Sequence, residues 1–236
     1  MKPCVIFDLD GTLCDTSADL LAAANAAFRV LGRDVTLDHG DAEARSTALL
    51  GGRAMLRLGL GRLGEVDGDE VDRGYQPLLD AYDGAVSTHT RFYPGARDAV
   101  GALREAGYGV AICTNKPERL AVKLMAELGA TDEFDALVGA DTLCVRKPDP
   151  APFWEAIKRS GGDPTRSLLV GDTATDAKTA TAARAPFVLA RFAAAPDAPP
   201  GDAEIGHYDE LATVVLRLIG RPYAESRWTG TVAAGA

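Results

Sequence analysis

The sequence predicts an α/β protein with a doubly wound parallel sheet and an inserted, all-helical segment. From residue 92 onward, short continuous apolar runs of strand length alternate with helical patterns, which is typical of parallel strands covered by helices on both faces. Residues 16–85 show helical periodicity and no alternating strand pattern. Three of the apolar runs are followed by polar, chemistry-bearing residues. Because ligands bind at the carboxyl ends of parallel strands, we expect the functional site there.

The helical insertion follows directly after the first strand. That strand covers residues 4–7, and the apolar spacing after it predicts helices at residues 17–31, 42–50, 52–63 and 66–82. We therefore assign residues 16–90 to a helical domain. Residues 1–15 and 91–220 form the α/β core domain into which it is inserted.

The core domain continues as alternating helices and strands. The pattern predicts strands at residues 109–113, 134–138, 167–170 and 187–190, and helices at 96–106, 173–183 and 209–219. Two further helices are predicted from their caps. One is capped by Asn115 with Pro117 in its first turn, and the other is capped by Asp149 with Pro150 as its first residue. Residues 193–203 are rich in Ala, Pro, Asp and Gly, which predicts a loop. Residues 221–236 are expected to be a flexible tail.

The bulk composition excludes several classes of function. The chain has 236 residues and a net charge of −9, which argues against a nucleic-acid partner because such a partner favours a basic surface. No apolar run approaches the roughly 18 residues of a membrane span, so we expect no membrane association. Four cysteines without CxxC spacing indicate a reducing compartment, and we expect a cytoplasmic protein. We expect it to be a monomer or a homodimer.

Two carboxylates at the end of the first strand are the most informative feature of the chain. Asp8 and Asp10 follow that strand and precede the turn residue Gly11. Carboxylates at the mouth of a buried strand are costly unless a cation or a substrate compensates their charge. One of them can attack a substrate while its neighbour handles a proton, which makes the pair a candidate for nucleophilic catalysis.

Three further motifs follow in a fixed order. After Asp8-Leu9-Asp10-Gly11-Thr12 come Thr114-Asn115-Lys116, then Lys147-Pro148-Asp149-Pro150, and finally Gly171-Asp172-Thr173-Ala174-Thr175-Asp176. Together these motifs resemble the haloacid dehalogenase superfamily in its phosphatase form, over roughly residues 4–220. The resemblance implies a Rossmann-like core whose helical insertion acts as a cap over the active site. Caps of this kind exclude water and select substrates.

The resemblance implies a reaction in two steps. Asp8 is the expected nucleophile, and Asp10 is the general acid for the leaving alcohol and then the general base for water. Lys147 is expected to bridge the phosphoryl group and the Asp8 carboxylate. The substrate is then a small phosphorylated metabolite, and the intermediate is an aspartyl-phosphate.

The carboxylates of these motifs also predict a metal ion. Four aspartates gathered at one point repel each other strongly in a partly dry site, so a cation is needed. Oxygen ligands without a histidine cluster favour Mg²⁺ over zinc. The resemblance implies that Asp8, the backbone carbonyl of Asp10, and Asp172 hold the ion. Asp176, which we expect one turn along a helix opened by Gly171-Asp172, supports it through a water or as a further ligand.

Five further residues are candidates for binding the substrate. We expect the Thr114 hydroxyl and the backbone N–H of Asn115 to bind phosphate, with Lys116 as an additional cation at the rim. Arg53 or Arg45 in the cap can meet a substrate carboxylate through a bidentate contact. Gly51-Gly52-Arg53, Thr114-Asn115-Lys116-Pro117 and the segment 146–152 resemble the phosphoglycolate phosphatase branch of the superfamily.

Other functions of the superfamily stay open to different degrees. Asp10 argues against a dehalogenase, which lacks an acid there, and the absence of lysine from residues 15–90 argues against a phosphonate-cleaving enzyme. One open alternative is hydrolysis of another small metabolite: a sugar phosphate, a nucleotide or pyrophosphate. Another is a phosphomutase resembling β-phosphoglucomutase, because Arg45-Ser46 is close to the cap signature of such enzymes. A non-catalytic binding module is a minor alternative, since such a module should have lost one of the four residues Asp8, Asp10, Lys147 and Asp172, and all four are present.

Overall fold

The structure is a computed structural model that describes residues 1–194 and 198–222. Its strands, in chain order, are β1 (Lys2–Phe7), β2 (Cys14–Asp15), β3 (Arg91–Phe92), β4 (Gly109–Cys113), β5 (Ala136–Val138), β6 (Gly162–Gly171), β7 (Phe187–Ala190) and β8 (Ala203–Ile205). A six-stranded sheet has the order β5-β4-β1-β6-β7-β8, and each neighbouring pair is parallel. The predicted fold class is confirmed. The strand order reverses at β1, which is where ligands bind in such sheets.

The α-helices divide into an inserted group and a group that covers the sheet. The inserted helices are α1 (Ser17–Val30), α2 (Ala42–Leu49), α3 (Gly52–Gly61) and α4 (Gly68–Gly84). The others are α5 (Ala96–Glu105), α6 (Glu118–Glu127), α7 (Ala151–Arg159), α8 (Ala174–Ala183) and α9 (Leu211–Ile219). We call α1–α4 the cap. Its limits at residues 16 and 90 remain a prediction.

Alternating side chains of the buried strands supply two apolar cores, one on each face of the sheet. Val5 and Phe7 of β1 belong to the core that continues into the cap, whereas Cys4 and Ile6 belong to the core covered by α7 and α8. A strand buried on both faces must be apolar throughout, which is why the parallel strands appear in the sequence as uninterrupted apolar runs. This packing holds the strand ends in fixed positions.

The cap is joined to the core through one short antiparallel ribbon. In that ribbon β2 pairs with β3, so that Cys14 lies opposite Phe92 and Asp15 opposite Arg91. The chain leaves the core through β2 and returns through β3. The buried Asp19 carboxylate ties the two connections together, because it accepts hydrogen bonds from the backbone N–H groups of His89 and Thr90 at 2.8–3.0 Å.

Several predicted boundaries differ from the observed ones. The predicted loop 193–203 overlaps the start of β8. The predicted strand 134–138 is reduced to β5, because its pairing with β4 begins only at Ala136. Helix α6 begins at Glu118, so the expected capping by Asn115 is wrong. Pro150 rather than Asp149 holds the cap position of α7, although the Asp149 carboxylate accepts a hydrogen bond from the Ala151 N–H. Of the predicted tail 221–236, residues 223–236 lie outside the described residues.

No helix in residues 1–194 and 198–222 combines the length and the apolar character that a membrane span requires.

Candidate active site

The motif residues meet at the carboxyl end of the sheet, beneath the cap. β1 delivers Asp8 and Asp10, β4 delivers Thr114, and β6 ends at Gly171 just before Asp172. A cavity of about 390 Å³ lies between this edge and the cap. Both sides line it: the core through Asp8, Asp10, Thr114, Asn115, Lys116, Arg146 and Lys147, and the cap through Arg53, Tyr75, Leu78 and Tyr82, among others.

Asp8 is fixed at the floor of the site by its own backbone neighbour and by a buried lysine. Its Oδ1 accepts a hydrogen bond from the Leu9 N–H at 2.7 Å and lies 3.1 Å from Lys147 Nζ. Lys147 Nζ also donates to Asp176 Oδ1 at 2.6 Å. Among the described residues no hydrogen bond or ion pair engages Asp8 Oδ2, so this oxygen is available to act as a nucleophile.

Asp8, Asp172 and Asp176 form one buried carboxylate cluster, in which an oxygen from each lies within 4.8 Å of the others. The expected helix opened by Asp172 is wrong, because α8 begins at Ala174 and Asp172 lies before it. Asp176 nevertheless points to the same place, held by a capping box in which its Oδ2 accepts from the Thr173 N–H at 3.1 Å and its own N–H donates to Thr173 Oγ1 at 3.3 Å. The Thr173 hydroxyl also donates to Asp176 Oδ2, at 2.5 Å. Asp10 is not part of this cluster.

One oxygen of Asp172 is buried without a partner. Thr12 Oγ1 donates to Asp172 Oδ1 at 2.7 Å, whereas no group among the described residues donates to Asp172 Oδ2. Gly11, at φ +81°, leaves room for this oxygen, because a Cβ on Gly11 would overlap it. A buried carboxylate oxygen without a donor is strongly unfavourable unless a bound group compensates it.

Burial and mutual repulsion govern the charges of the cluster. Burial, with further repulsion from Asp176 and Asp10, raises the pKa of Asp8 to about 6 even though Lys147 works in the opposite direction. Burial, followed by repulsion from Asp176 and Asp8, raises the pKa of Asp172 well above its usual range. Burial also disfavours the Lys147 ammonium, but the attraction of Asp176 and Asp8 is stronger and raises the pKa of Lys147. Three carboxyl groups and one lysine therefore share this buried site, and each carboxyl group disfavours the charge of the others.

These residues fit a Mg²⁺ ion. The three carboxylates supply only oxygen ligands, which Mg²⁺ prefers, and the unpartnered Asp172 Oδ2 is a ligand position that the protein itself does not fill. A dication there would also relieve the repulsion among Asp8, Asp172 and Asp176. The fit rests on the donor atoms and on this orphaned oxygen.

Lys116 does not lie at the rim as expected from the sequence. It is buried, and its Nζ donates to Asp10 Oδ1 at 2.7 Å. The same ammonium lies 4.3 Å from the ring centroid of Tyr82, a buried residue of α4 in the cap. Burial opposes the charge, but Asp10 and Tyr82 together raise the pKa of Lys116, so it stays an ammonium.

The two residues expected to bind phosphate with Lys116 differ in their surroundings. Thr114 lines the cavity, and its Oγ1 accepts a hydrogen bond from the Lys116 N–H at 3.2 Å, which leaves the hydroxyl hydrogen free to donate. Asn115 also lines the cavity, but its side chain donates to the Lys147 carbonyl at 3.0 Å. Asn115 thereby fastens the loop that carries Lys147 to the end of β4.

The arginines suggested by the sequence occupy different places. Arg53 lines the cavity, stacks 4.3 Å from the Tyr75 ring centroid and forms an ion pair with Asp72. Arg45 is absent from the described lining of the cavity and donates to the His39 carbonyl at 2.7 Å. Arg146, which sequence reasoning left without a role, lines the cavity and has no side-chain hydrogen bond or ion pair with residues 1–194 or 198–222. Its position next to Lys147 in the third motif is the one signal that points to it.

Known proteins resemble the chain in both sequence and fold. A family model described as haloacid dehalogenase-like hydrolase matches residues 2–184. The phosphoglycolate phosphatase of Mesorhizobium japonicum is 38% identical over 231 residues, which cover 93% of this chain and 99% of that protein. The phosphoglycolate phosphatase of Agrobacterium fabrum is 36% identical over 81% of this chain and 82% of its own length.

A solved structure is similar in fold. It is a haloacid dehalogenase superfamily hydrolase of subfamily IA from Geobacter sulfurreducens, which matches with a TM-score of 0.69 over 90% of this chain and 96% of its own, at 23% identity. The family model covers most of the chain, and the two sequence relatives cover 93% and 81% of it. The chain therefore belongs to the haloacid dehalogenase-like hydrolases and is an enzyme similar to their phosphoglycolate phosphatases.

Proposed function

We propose that this protein hydrolyses a small phosphomonoester in two steps through an aspartyl-phosphate, with Mg²⁺ as its cofactor. The observation that carries the proposal is the surroundings of Asp8: a buried carboxylate with one oxygen held and the other unengaged, at the floor of a cavity, beside Lys147 and the unpartnered oxygen of Asp172. This arrangement combines a nucleophile with the groups that neutralise a transferring phosphoryl group.

In the first step Asp8 Oδ2 attacks phosphorus. The new bond joins Oδ2 to phosphorus, the bond from phosphorus to the alcohol oxygen breaks, and a proton passes from the Asp10 carboxyl to that alcohol. Lys147 lies 3.1 Å from Asp8 Oδ1, which is close enough for its ammonium to offset the negative charge of the phosphoryl oxygens as they arrive. The Thr114 hydroxyl can donate to the same oxygens.

In the second step water frees phosphate from the intermediate. Asp10, now a carboxylate, takes a proton from the water while the oxygen of the water attacks phosphorus. The bond between phosphorus and Asp8 Oδ2 then breaks. The enzyme then has its original proton on Asp10 and a free Asp8 carboxylate. The cap covers the cavity, which supports control over the water that reaches phosphorus.

Asp8, the Asp10 carbonyl and Asp172 would hold the Mg²⁺, with Asp176 as a supporting ligand or through a water. When bound, the ion supplies positive charge opposite the phosphoryl oxygens and neutralises the carboxylate cluster. Asp176 also fixes Lys147 at 2.6 Å, so it links the lysine to the metal ligands.

We propose 2-phosphoglycolate as the substrate. The curated relatives named phosphoglycolate phosphatase support this choice. A cavity of about 390 Å³ suits a small metabolite, since ligand pockets run from about 300 to 1,000 Å³. Arg146 and Arg53 line it, and a guanidinium recognises a carboxylate well. Arg146 is the better candidate because Arg53 is already paired with Asp72.

We also propose that the protein works in the cytoplasm. All four cysteines lie in the described part of the chain and are free thiols, as expected in a reducing compartment.

The decisive experiment is phosphate release from a panel of esters, measured with Mg²⁺ and with EDTA, for the wild type and for Asp8→Asn. The panel contains 2-phosphoglycolate, hexose phosphates, nucleotides and pyrophosphate. We expect preference for 2-phosphoglycolate and loss of activity in both controls. Preference for another ester would overturn the assignment of 2-phosphoglycolate as the substrate. Activity that survives in Asp8→Asn would overturn the proposed mechanism.

A further inference from the structure

Lys116 makes the contact that connects the cap to Asp10. Its ammonium is 2.7 Å from Asp10 Oδ1 on one side and 4.3 Å from the Tyr82 ring centroid on the other. Asp10 follows β1, Lys116 follows β4, and Tyr82 lies in α4 of the cap. A cation over an aromatic face is attracted by the ring, more strongly when water is excluded. Lys116 and Tyr82 are 6% and 2% exposed, so water is excluded here.

The position of Asp10 depends on this one contact. Among the described residues, Lys116 is the only group that makes a side-chain hydrogen bond or ion pair with the Asp10 carboxylate. The other motif aspartates are held differently: Asp8 by Leu9 and Lys147, and Asp176 by its capping box and Lys147. Asp10 is therefore the site carboxylate whose placement rests on a residue that the cap covers.

We propose that Tyr82 is a positioning residue that acts through Lys116, so that Asp10 is correctly placed for proton transfer only when α4 lies over the site. The proposal rests on the acid-base role of Asp10 in the function proposed above. We assign the effect to the ring, whose centroid lies 4.3 Å from the Lys116 ammonium. The Tyr82 hydroxyl also interacts with Lys116 and makes a long hydrogen bond, at 3.4 Å, to the Val86 carbonyl. The packing of the cap over the site and the position of the Asp10 carboxyl group are thereby coupled through Lys116.

The coupling predicts a specific defect when the ring is removed. If Asp10 is misplaced, release of a strongly basic alcohol that needs a proton slows, whereas release of a weakly basic alcohol is much less affected. Ethyl phosphate and 2,2,2-trifluoroethyl phosphate provide such a pair, because the two esters are of similar size and differ in the basicity of the leaving alcohol. Ester disappearance in single turnovers reports the first step alone, and it is independent of KM when the enzyme concentration is well above both the ester concentration and KM.

Two variants test the proposal. In Tyr82→Leu we expect the single-turnover rate for ethyl phosphate to fall about 10- to 100-fold, a partial loss of the roughly 10²- to 10⁴-fold that general acid catalysis supplies. The trifluoroethyl rate should change by less than about threefold. Tyr82→Phe keeps the ring and should restore the wild-type ratio of the two rates. Lys116→Met removes the ammonium but keeps the apolar stem, so it should show the same selective loss as Tyr82→Leu even if that variant folds poorly.

Tyr75→Leu is the matched control. Tyr75 lies on the same helix and lines the same cavity, but its ring contacts Arg53 rather than Lys116. We expect this variant to leave the ratio of the two rates unchanged. Equal slowing of both esters in Tyr82→Leu and Lys116→Met would overturn the proposal and reduce Tyr82 to a residue that shapes the cavity. A wild type that releases no phosphate from 2-phosphoglycolate or from any other ester of the panel, or whose activity is unaffected by Asp8→Asn, would instead overturn the proposed function itself.

Discussion

Replacing Asp172 by Asn should make the metal-free protein more stable while abolishing its response to Mg²⁺. Asp172 Oδ2 is buried without a donor, and the carboxylate faces Asp8 and Asp176 in the same cluster. Asn keeps the oxygen that accepts from Thr12 and puts an NH₂ group in place of the orphaned oxygen. The new amide hydrogens face carboxylates, so a repulsive contact becomes a hydrogen-bonded one.

The size of the effect follows from the cost of an unsatisfied buried group. Such a group costs about 1–3 kcal/mol, and more when it is charged, so we expect a gain of about 2 kcal/mol. For a chain of this length each kcal/mol shifts Tm by about 2–4 °C, so the gain corresponds to about 4–8 °C. In the wild type, Mg²⁺ at 100 times its Kd should add about 2.7 kcal/mol, and in the variant this shift should disappear.

Thermal unfolding followed by circular dichroism, in EDTA and in Mg²⁺, measures both quantities. Asp19→Asn is the matched control, because Asp19 is an equally buried aspartate that accepts hydrogen bonds from His89 and Thr90. There the new NH₂ group opposes N–H donors, so Tm should fall while the Mg²⁺ shift remains. An Asp172→Asn variant less stable than the wild type in EDTA, or one that keeps the full Mg²⁺ shift, would refute the reasoning.

Further outcomes follow from the same cluster. Burial raises the pKa of Asp8 from 3.8 to about 6, so its ionisation destabilises the metal-free fold above pH 6, and the cost is relieved as the pH falls from 6 to 4. In urea titrations at pH 7.5 with EDTA, the free energy of unfolding of Asp8→Asn should therefore exceed that of the wild type by about 2–3 kcal/mol. This difference should shrink by pH 5, and a difference that does not depend on pH would contradict the reasoning. Gly11→Ala should lower the free energy of unfolding by at least about 1–3 kcal/mol, because φ at Gly11 is +81° and the added Cβ overlaps Asp172 Oδ2. Isothermal titration of this variant should detect no Mg²⁺ binding. Lys147→Met leaves Asp8 and Asp176 without their shared cation, so we expect a loss of about 3–5 kcal/mol in urea unfolding at pH 7.5, and unchanged stability would argue against a buried ion pair.

The sequence predicted the elements whose burial is complete. Gly109–Cys113 and Phe187–Ala190 match the predicted strands 109–113 and 187–190 residue for residue, because both faces of each are covered and every position is apolar. Ala203–Ile205 was missed because it is a three-residue edge strand with an exposed Glu204 at its centre, so its pattern does not differ from that of a loop.

The sequence predicted which residues of the site lie close together where those residues follow directly after strands. Asp8 and Asp172 meet because β1 and β6 are adjacent and parallel. The sequence predicted that the strand-end motifs meet at the carboxyl ends of the strands, but not which strands are neighbours. The contact of Tyr82 with Lys116 was not predictable, because a tyrosine at helical spacing in the cap does not differ in the sequence from an ordinary core residue. It arises only from the way α4 packs over the sheet edge.

The β2–β3 ribbon has a consequence for how such a protein can change over evolutionary time. The chain departs from and rejoins the core at paired residues, Cys14 opposite Phe92 and Asp15 opposite Arg91. Segments whose two ends lie side by side at a surface tolerate replacement and changes in length, because such changes do not alter the positions at which the chain leaves and rejoins the core domain. The helical segment can thus diversify as a module while β1 and β6 keep the reacting carboxylates where they are. One catalytic sheet can in this way serve many lineages, each with its own choice of metabolite.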